Sequence, residues 1–421
     1  MFLHLDLDCF FVSAHRTIDS SLFDIPVAVG GRSNLNIFSS QKEKREISSN
    51  DGAFVSSILT NEGYKSFQDY FVDENGKIRG IVTTSSYEAR AFGVKTAMSV
   101  NEALKLCPDL KMLSPNYPLY HSLSFKLKEL LIKEAPLVEQ FSIDEFFVDV
   151  SGYIDEHEIV EYAYSLKKKI ASELSLPISI GIANTKYLSK LITEYAKPDG
   201  VKYVSKTHIA NFTKDIAIEE FPGIGKGFQS RLKAYGIKTL GDIKKRRELF
   251  YSWKKPGMDL YNRVCGIRDN KLSFQREKKS IGIGRTFDVL YDRAELKRRV
   301  VILSRYLCFL VKKADVNPLT YHIKIKYESR IKSKDYVNVN RIFNEKDFKD
   351  SMVELFLKND IHKTHGVVQL NITVSNFAKN NSFTYNIFEY DTDIKKRTLS
   401  NQMQKLRSKF GIDIIKNASE L

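Results

Sequence analysis

The chain of 421 residues carries 66 Lys+Arg against 51 Asp+Glu, a formal net charge of +15, and at roughly 100–200 residues per domain its length predicts two to four domains. It is 43% hydrophobic and 12% aromatic, which is enough apolar material for packed cores and excludes wholesale disorder. The four cysteines, Cys9, Cys107, Cys265 and Cys308, lie too far apart for a zinc module or a disulfide framework. No apolar run approaches the ~20 residues of a membrane span, so no membrane partner is expected. The charge is polarised along the chain. Residues 1–204 hold 22 Lys+Arg and 27 Asp+Glu, residues 205–270 hold 14 and 7, and residues 271–421 hold 30 and 17. An acidic first half that handles a cation or a small anion, followed by modules that grip a polyanion, fits this distribution.

In chain order, MFLHLDLDCFF alternates and lacks a basic leader, so it reads as a buried strand with acids at its far end rather than a signal peptide. IPVAVGG is a short strand closed by a glycine turn. Residues 34–80 are polar and turn-rich, with Asp51-Gly52 and Asn75-Gly76 as turn signals. Tyr87–Leu106 is helical at both ends, and Tyr120–Lys133 is an amphipathic helix with Leu123, Leu127, Leu130 and Leu131 on one face. The apolar stretch VEQFSIDEFFVDVSG comes next, then a helix over Ile159–Leu174. The strand LPISIGIAN leads into a helix from Lys186 to Tyr195 that stops at Lys197-Pro198-Asp199-Gly200. Residues 205–270 read as small helices. Beyond Lys278-Lys279 the pattern is a helix over Arg293–Lys313, polar-alternating strands such as YHIKIKYESR and VVQLNITVSNF, and a last helix near Thr398–Phe410. The whole reads as an α+β multidomain protein.

Asp6, Asp8, Asp144, Glu145 and Asp149 all stand in apolar, strand-like segments. A buried carboxylate costs several kcal/mol unless it is paired or bound to a metal. Strand ends open to water account for one such acid, but two separate strands each delivering acids to one end favour a shared cation. Gln140 and Ser142 permit the bend that lets Asp144 and Glu145 converge. Neither segment holds a Lys or Arg, so a hard divalent cation, usually Mg²⁺, is the natural counter-charge.

LDLDCFF, SIDE, SSYEARAFGVKTAM and YAKPDG, followed by FPGIGKGFQSRLKAYGIKTLGDI and KKSIGIGRTF, resemble in order the motifs of Y-family translesion DNA polymerases, with the bacterial DNA polymerase IV branch as the nearest likeness. The resemblance implies a right-hand polymerase. Its palm would be residues 1–10 and 117–204, its fingers 11–116 with an insertion at about 34–80, its thumb 205–275 with a helix-hairpin-helix, its linker 276–283 and its little finger 284–421. It also implies template-directed, low-fidelity DNA synthesis by two-metal nucleotidyl transfer, with bypass of damaged bases and no proofreading. The expected partners are primer–template DNA and deoxynucleoside triphosphates, in a monomeric, bacterial, cytoplasmic and nucleoid-associated protein.

Carried onto this sequence, the catalytic acids are Asp6, Asp144 and Glu145, which hold two Mg²⁺ ions together with the main-chain carbonyl of Leu7. Tyr87, Arg90 and Lys197 match the family's triphosphate contacts, and these residue types suit phosphate oxygens, as a hydroxyl donor, a bidentate fork and a point charge. Phe11 stands at the steric gate under the sugar, with ordinary core packing as its other reading. Thr84, between Thr83 and Ser85, stands where small residues roof the nascent base pair. Gly223 and Gly225 would let backbone N–H groups meet a phosphate at a helix N-terminus, with Lys226 and Arg231 on the duplex backbone and Arg285 as a further phosphate contact. Gly223-Ile224-Gly225 follows no strand, which separates it from a dinucleotide-binding turn.

Three features depart from the family. About 40 extra residues intervene after Gly31, and their apolar content (Phe54, Val55, Ile58, Leu59, Tyr64, Phe67, Tyr70, Phe71) predicts a partly folded addition to the fingers. His15 and Arg16 stand where many relatives carry Glu. Tyr385, Ile387 and Phe388 follow a strand where some relatives carry a sliding-clamp peptide, but without its Gln, so a clamp contact and a plain edge strand both remain readings. The alternatives to a polymerase are a catalytically silent DNA-binding paralogue, which typically loses the acids, and a palm-type nucleotidyl cyclase, which has no use for a helix-hairpin-helix and a basic second half.

Overall fold

In the computed structural model, which describes residues 1–33, 36–38, 45–46, 59–60, 66–267, 272–274, 278–378 and 388–420, the N-terminal alternation becomes the central strand of a sheet. Its five strands lie in the order Val201–Tyr203, Ile178–Ala183, Phe2–Leu7, Glu145–Asp149 and Leu137–Gln140. Phe2–Leu7 runs antiparallel to both neighbours, with Asp6 opposite Glu145 on one side and Ser179 on the other. All six of its residues are buried because both faces are covered. Leu3, Leu5 and Leu7 face a core completed by the helices Tyr117–Glu134 and Ile159–Leu174. The opposite face meets the helix Lys186–Glu194, where Thr193 Oγ1 and His4 Nδ1 share a hydrogen bond of 2.8 Å.

A second, three-stranded sheet places Val27–Gly31 between Ile81–Ser85 and Lys111–Leu113. Short helices between Ile209 and Cys265 close over Leu188, Leu191 and Ile192, burying Leu232, Leu240, Phe250 and Trp253 in one cluster. These parts belong to a first unit that includes Met1–Gly31 and Gly63–Gln275.

The second unit includes Arg276–Leu421 and, far from it in sequence, Arg32–Ser49. Its antiparallel sheet runs Ser280–Leu290, Val367–Phe377, Pro318–Tyr327, Lys332–Asn338. Apolar residues at alternate positions (Tyr321, Ile323, Ile325; Leu370, Ile372, Val374) share a core with the helices Arg293–Lys313 and Glu345–Asn359. The last helix starts at Tyr390, eight residues before its expected start at Thr398. Its first turns are fixed by polar contacts, Asp393 to Arg341 and Lys396 to Asp347, which apolar periodicity does not display.

The insertion divides between the two units. Phe67, Tyr70 and Phe71 join the core beneath the three-stranded sheet, where a Cβ on Gly30 would stand 2.6 Å from the Phe71 ring. Only glycine admits that approach. Ile37 and Phe38, in contrast, are 3% and 7% exposed within the core of the second unit. The expectation of a single addition to the fingers therefore does not describe Ile37 and Phe38, which are buried in the C-terminal core. Phe54, Val55, Ile58 and Tyr64 lie outside the described residues. Among the described residues no helix is long and apolar enough to cross a membrane.

Candidate active site

The site forms where Phe2–Leu7 ends. Leu7 N donates to the carbonyl of Asp144 (3.1 Å), and Phe141 N and Ser142 N both donate to the carbonyl of Glu145, so the chain turns tightly just before Glu145. Ser142 Oγ donates to Asp144 Oδ1. This turn brings Asp144 and Glu145 to the same sheet end as Asp6. The three carboxylates repel one another there. Burial and the charges of Asp144 and Glu145 push Asp6 up from 3.8 to about 7, although Lys197 pulls it back. Burial also raises Asp144, with Glu145 adding to the shift. Burial would raise Glu145 too, but His4 beside one oxygen and Lys190 on the other hold it at about 2.

Lysines from outside the two acidic segments therefore supply part of the counter-charge, contrary to the expectation that a cation alone would do so. Lys190 Nζ stands 2.5 Å from Glu145 Oε1, and Lys197 Nζ stands 2.9 Å from Asp6 Oδ2 and 3.0 Å from Glu194 Oε1. Sequence pattern does not single out Lys190 or His4. It shows them only as ordinary members of a helix and a strand, because the pairing that aims them at Glu145 is tertiary. The Asp144 carboxylate accepts a hydrogen bond from Ser142, and the Lys190 charge opposes its upward shift. Two raised, mutually repelling carboxylates beside a third that stays ionised fit an oxygen-ligated divalent cation.

These shifts carry a prediction for the chelator-treated protein. The folded state holds the Asp6 proton up to about pH 7, whereas the unfolded chain releases it near 3.8. That contribution is fully present below pH 3.8 and is lost as pH rises through about 7. Asp6→Asn should therefore flatten the decline and raise stability at pH 8 by on the order of 2 kcal/mol. Thermal melts at pH 5 and pH 8 in chelator check this, and an unchanged melting point at pH 8 contradicts it.

Asp8 serves the fold. Asp8 Oδ1 accepts from the Tyr87 hydroxyl (3.0 Å), and Asp8 Oδ2 accepts from Ser179 Oγ and Asp199 N (both 2.8 Å). Asp8 thereby ties the helix Tyr87–Ala91 to the five-stranded sheet. Asp149 lies opposite Phe2, at the far end of the sheet. The cluster Asp155, His157, Glu158 is fully on the surface before the helix Ile159–Leu174.

Arg90 projects from the helix that carries Tyr87. Its guanidinium lies 4.7 Å from the Tyr87 ring centroid, and its Nε donates to the carbonyl of Ser85. Thr84 is half-buried in the strand Ile81–Ser85. Phe11 stacks on Tyr120 with ring centroids 4.2 Å apart and planes 10° from parallel, and its ring stays partly accessible whereas Phe10 is buried. His15 Nε2 and the Tyr120 hydroxyl share a hydrogen bond of 2.8 Å, and Arg16 pairs with Glu88 at 3.0 Å. The two residues that depart from the family thus lock the elements around Phe11.

Gly223 takes φ +96°, a conformation open to glycine, and Gly225 is the N-cap of the helix Lys226–Ala234, with no side-chain cap hydrogen bond among the described residues. A groove of about 550 Å³ connects this turn to Lys190 and Glu194. Lys226 is exposed at the start of the helix, while Arg231 lies over Trp253 at 3.9 Å. Arg285 shares strand parity with Ile281 and Ile283, which face the helix-covered core. It does not sit on the polar face of that sheet. Lys324 and Lys326 do, directly opposite Lys334 and Lys332. Tyr385 and Ile387 lie outside the described residues, and Phe388 is 93% exposed before the last helix.

The chain is also similar to known proteins. Residues 5–194 match the model of the impB/mucB/samB family. DNA polymerase IV of Lactococcus lactis subsp. cremoris is 31% identical over 305 residues, covering 71% of this chain and 84% of that protein. DNA polymerase IV of Yersinia pestis is 32% identical over 294 residues, covering 69% and 71%. Among solved structures, a Y-family DNA polymerase chimera superposes with a TM-score of 0.70 at 20% identity, covering 90% of this chain and 99% of its own. DinB from Sulfolobus solfataricus superposes at 0.52 with 20% identity, covering 90% and 99%. The fold is therefore that of a Y-family DNA polymerase, α+β and multidomain. Within that class, the chain belongs to the DNA polymerase IV family of DNA-directed DNA polymerases.

Proposed function

We propose that the chain extends a DNA primer on a template, with deoxynucleoside triphosphates as substrates, and that it tolerates damaged template bases. The observation that carries this reading is the convergence of Asp6, Asp144 and Glu145 at one sheet end in a member of this polymerase family. Asp6, the Leu7 carbonyl, Asp144 and Glu145 would hold two Mg²⁺ ions. Bound there, the metal lowers the pKa of a primer 3′-hydroxyl and neutralises charge on the reacting phosphates.

The chain's own groups do the positioning. Lys197, on Asp6 in the free protein, is free to exchange that carboxylate for a triphosphate oxygen, which releases Asp6 to the cation. Arg90 offers its fork and Tyr87 its hydroxyl to the same phosphates. Phe11, rigid on Tyr120, lies under the sugar, where a ribose 2′-hydroxyl would collide with it. The small Thr84 roofs the base pair and leaves room for a distorted template base, which gives low fidelity and lesion bypass. Palm, fingers, thumb and little finger take the residue ranges that the sequence motifs imply, except that Ile37 and Phe38 join the last of them.

Two surfaces suit the duplex. Backbone N–H groups at Gly225 and Lys226 point to a phosphate without reading bases. The lysine pairs 324/334 and 326/332 set like charges opposite one another, which costs stability in a sheet and is relieved by a polyanion. Affinity for primer–template should therefore fall steeply with salt, and Lys324→Gln with Lys334→Gln should reduce the slope of log K against log salt by roughly 1–2. Equal slopes for the variant and the parent contradict a role for this face. Phe388, together with Tyr385 and Ile387, is the proposed contact for a sliding clamp. Primer extension on undamaged and abasic templates tests the activity itself, and the expected products are full-length on the first and extended past the gap on the second.

A further inference from the structure

We propose that the cavity between the helices Arg293–Lys313 and Tyr390–Phe410 binds a small phosphorylated molecule through Lys312, Arg397 and Lys405. The cavity measures about 300 Å³, at the lower end of the range for small-ligand sites. Its three cations share the lining with one carboxylate, that of Asp315. The site is therefore two negative charges short of balance, which is about the charge of a phosphomonoester at neutral pH. A duplex, in contrast, needs an extended groove. The site is independent of the proposed polymerase chemistry.

Little in the protein itself answers these charges. Lys312 Nζ donates to Asn401 Oδ1 at 2.9 Å and to the Phe343 carbonyl at 3.5 Å, both of them neutral acceptors. Burial lowers the Lys312 pKa and the Arg397 charge lowers it further, against the opposing pull of Asp315. On the last helix, Lys396 pairs with Asp347 and Arg407 with Glu345. Arg397 and Lys405 have no ion pair among the described residues. Arg397 is nevertheless partly buried, and a desolvated charge without a counter-ion costs free energy. A phosphate offsets that cost, because two of its oxygens match the guanidinium fork while the lysines supply point charges.

The walls are held in place without a ligand. Asn317 Oδ1 accepts from Phe343 N at 2.8 Å, and Asn317 Nδ2 donates to the Arg341 carbonyl at 3.3 Å. Gln404 Nε2 donates to the Phe309 carbonyl at 3.3 Å and so fixes the last helix to Arg293–Lys313. The carbonyl end of a helix repels an anion. Here the carbonyls of Phe309, Leu310, Val311 and Lys312 already accept from Gln404, Ala314, Val316 and Asp315, which blunts that repulsion. The cavity lies among the helices on the apolar side of the four-stranded sheet, whereas Lys324 and Lys334 stand on its polar side. It is thus separate from the surface proposed for the duplex.

Titration calorimetry of the full chain with ribose 5-phosphate, in chelator and in salt with a Debye length of about 8 Å, tests the site. Saturable binding is expected, with inorganic phosphate competing and unphosphorylated ribose giving no heat. Arg397→Gln should weaken binding by roughly tenfold or more. Because Arg397 repels Lys312 and pairs with no carboxylate, the unliganded variant should melt no lower than the parent and should lose the upward shift that the ligand gives. Lys324→Gln with Lys334→Gln, on the other side of the sheet, should bind ribose 5-phosphate as the parent does. Equal affinity in the parent and Arg397→Gln overturns the proposal. Absence of saturable binding, or displacement of ribose 5-phosphate by primer–template, overturns it equally.

Discussion

Asp144→Ala is expected to lower primer extension by at least roughly a thousandfold while leaving primer–template affinity within about twofold. The two effects separate because of where the residue stands. Asp144 lies at the sheet end, and its raised pKa comes from burial and the neighbouring Glu145 charge. The role proposed for it is to hold a divalent cation, which would restore the charge that burial disfavours. Among the described residues its side chain bonds to Ser142, two residues away, so truncation breaks no link between distant elements. The lysines proposed to hold the duplex belong to the other unit and stay as they are. Asp144→Asn keeps the shape and removes the charge. An equal loss in both variants assigns the role to charge, whereas activity in the Asn variant near that of the parent would leave only a packing role. Single-turnover extension with a labelled primer, beside a binding isotherm in chelator, measures both quantities.

Phe11→Ala should relax sugar selection, raising ribonucleotide incorporation relative to deoxyribonucleotide by roughly a hundredfold or more. Stiffness is what makes a ring an effective gate, because a side chain that swings aside excludes nothing. Phe11 lies nearly parallel on Tyr120 at 4.2 Å, and the Tyr120 hydroxyl is held by His15. Burial pushes the His15 pKa down to about 4, so the imidazole is neutral in the working range and its bond to Tyr120 does not change with pH there. The ratio of kcat/KM for the two sugars is the measurement, made with each nucleotide in turn. An unchanged ratio alongside a lowered melting temperature would assign Phe11 to the core alone.

Much of the site is legible from local pattern. The alternation in LHLDLD places Asp6 at the end of a buried strand, and the polar Gln140 and Ser142 mark the bend that brings Asp144 and Glu145 to it. These are period-two and turn signals that act within a few residues. Lys190, His4 and Tyr120 are not legible as partners because their meaning lies in pairings between residues far apart in the chain, Lys190 and His4 with Glu145 and Tyr120 with Phe11. Asp8 shows the converse. In sequence it matches Asp6, yet its carboxylate is taken up by Tyr87, Ser179 and Asp199, an assignment that depends on three other elements.

The same limit appears in the C-terminal half. Arg285 reads as a phosphate contact by its position in a motif, but strand parity puts it with Ile281 and Ile283. The lysines that do share the polar face are spread over two strands and align only through their register. The apolar residues of the insertion signal that it folds, but not which core it joins. Phe71 and Phe38 are equally aromatic, and only the space beneath Gly30 for one and beside Phe287 for the other separates them.

The most direct measurement is single-nucleotide incorporation by the unaltered protein on a primed template, with each deoxynucleoside triphosphate in turn, with Mg²⁺ and with chelator. The expected result is extension with Mg²⁺, fastest for the nucleotide complementary to the template base, and none in chelator. Tight, salt-sensitive binding of the same primer–template without extension under any metal condition would contradict it, and would make the chain a silent DNA-binding relative.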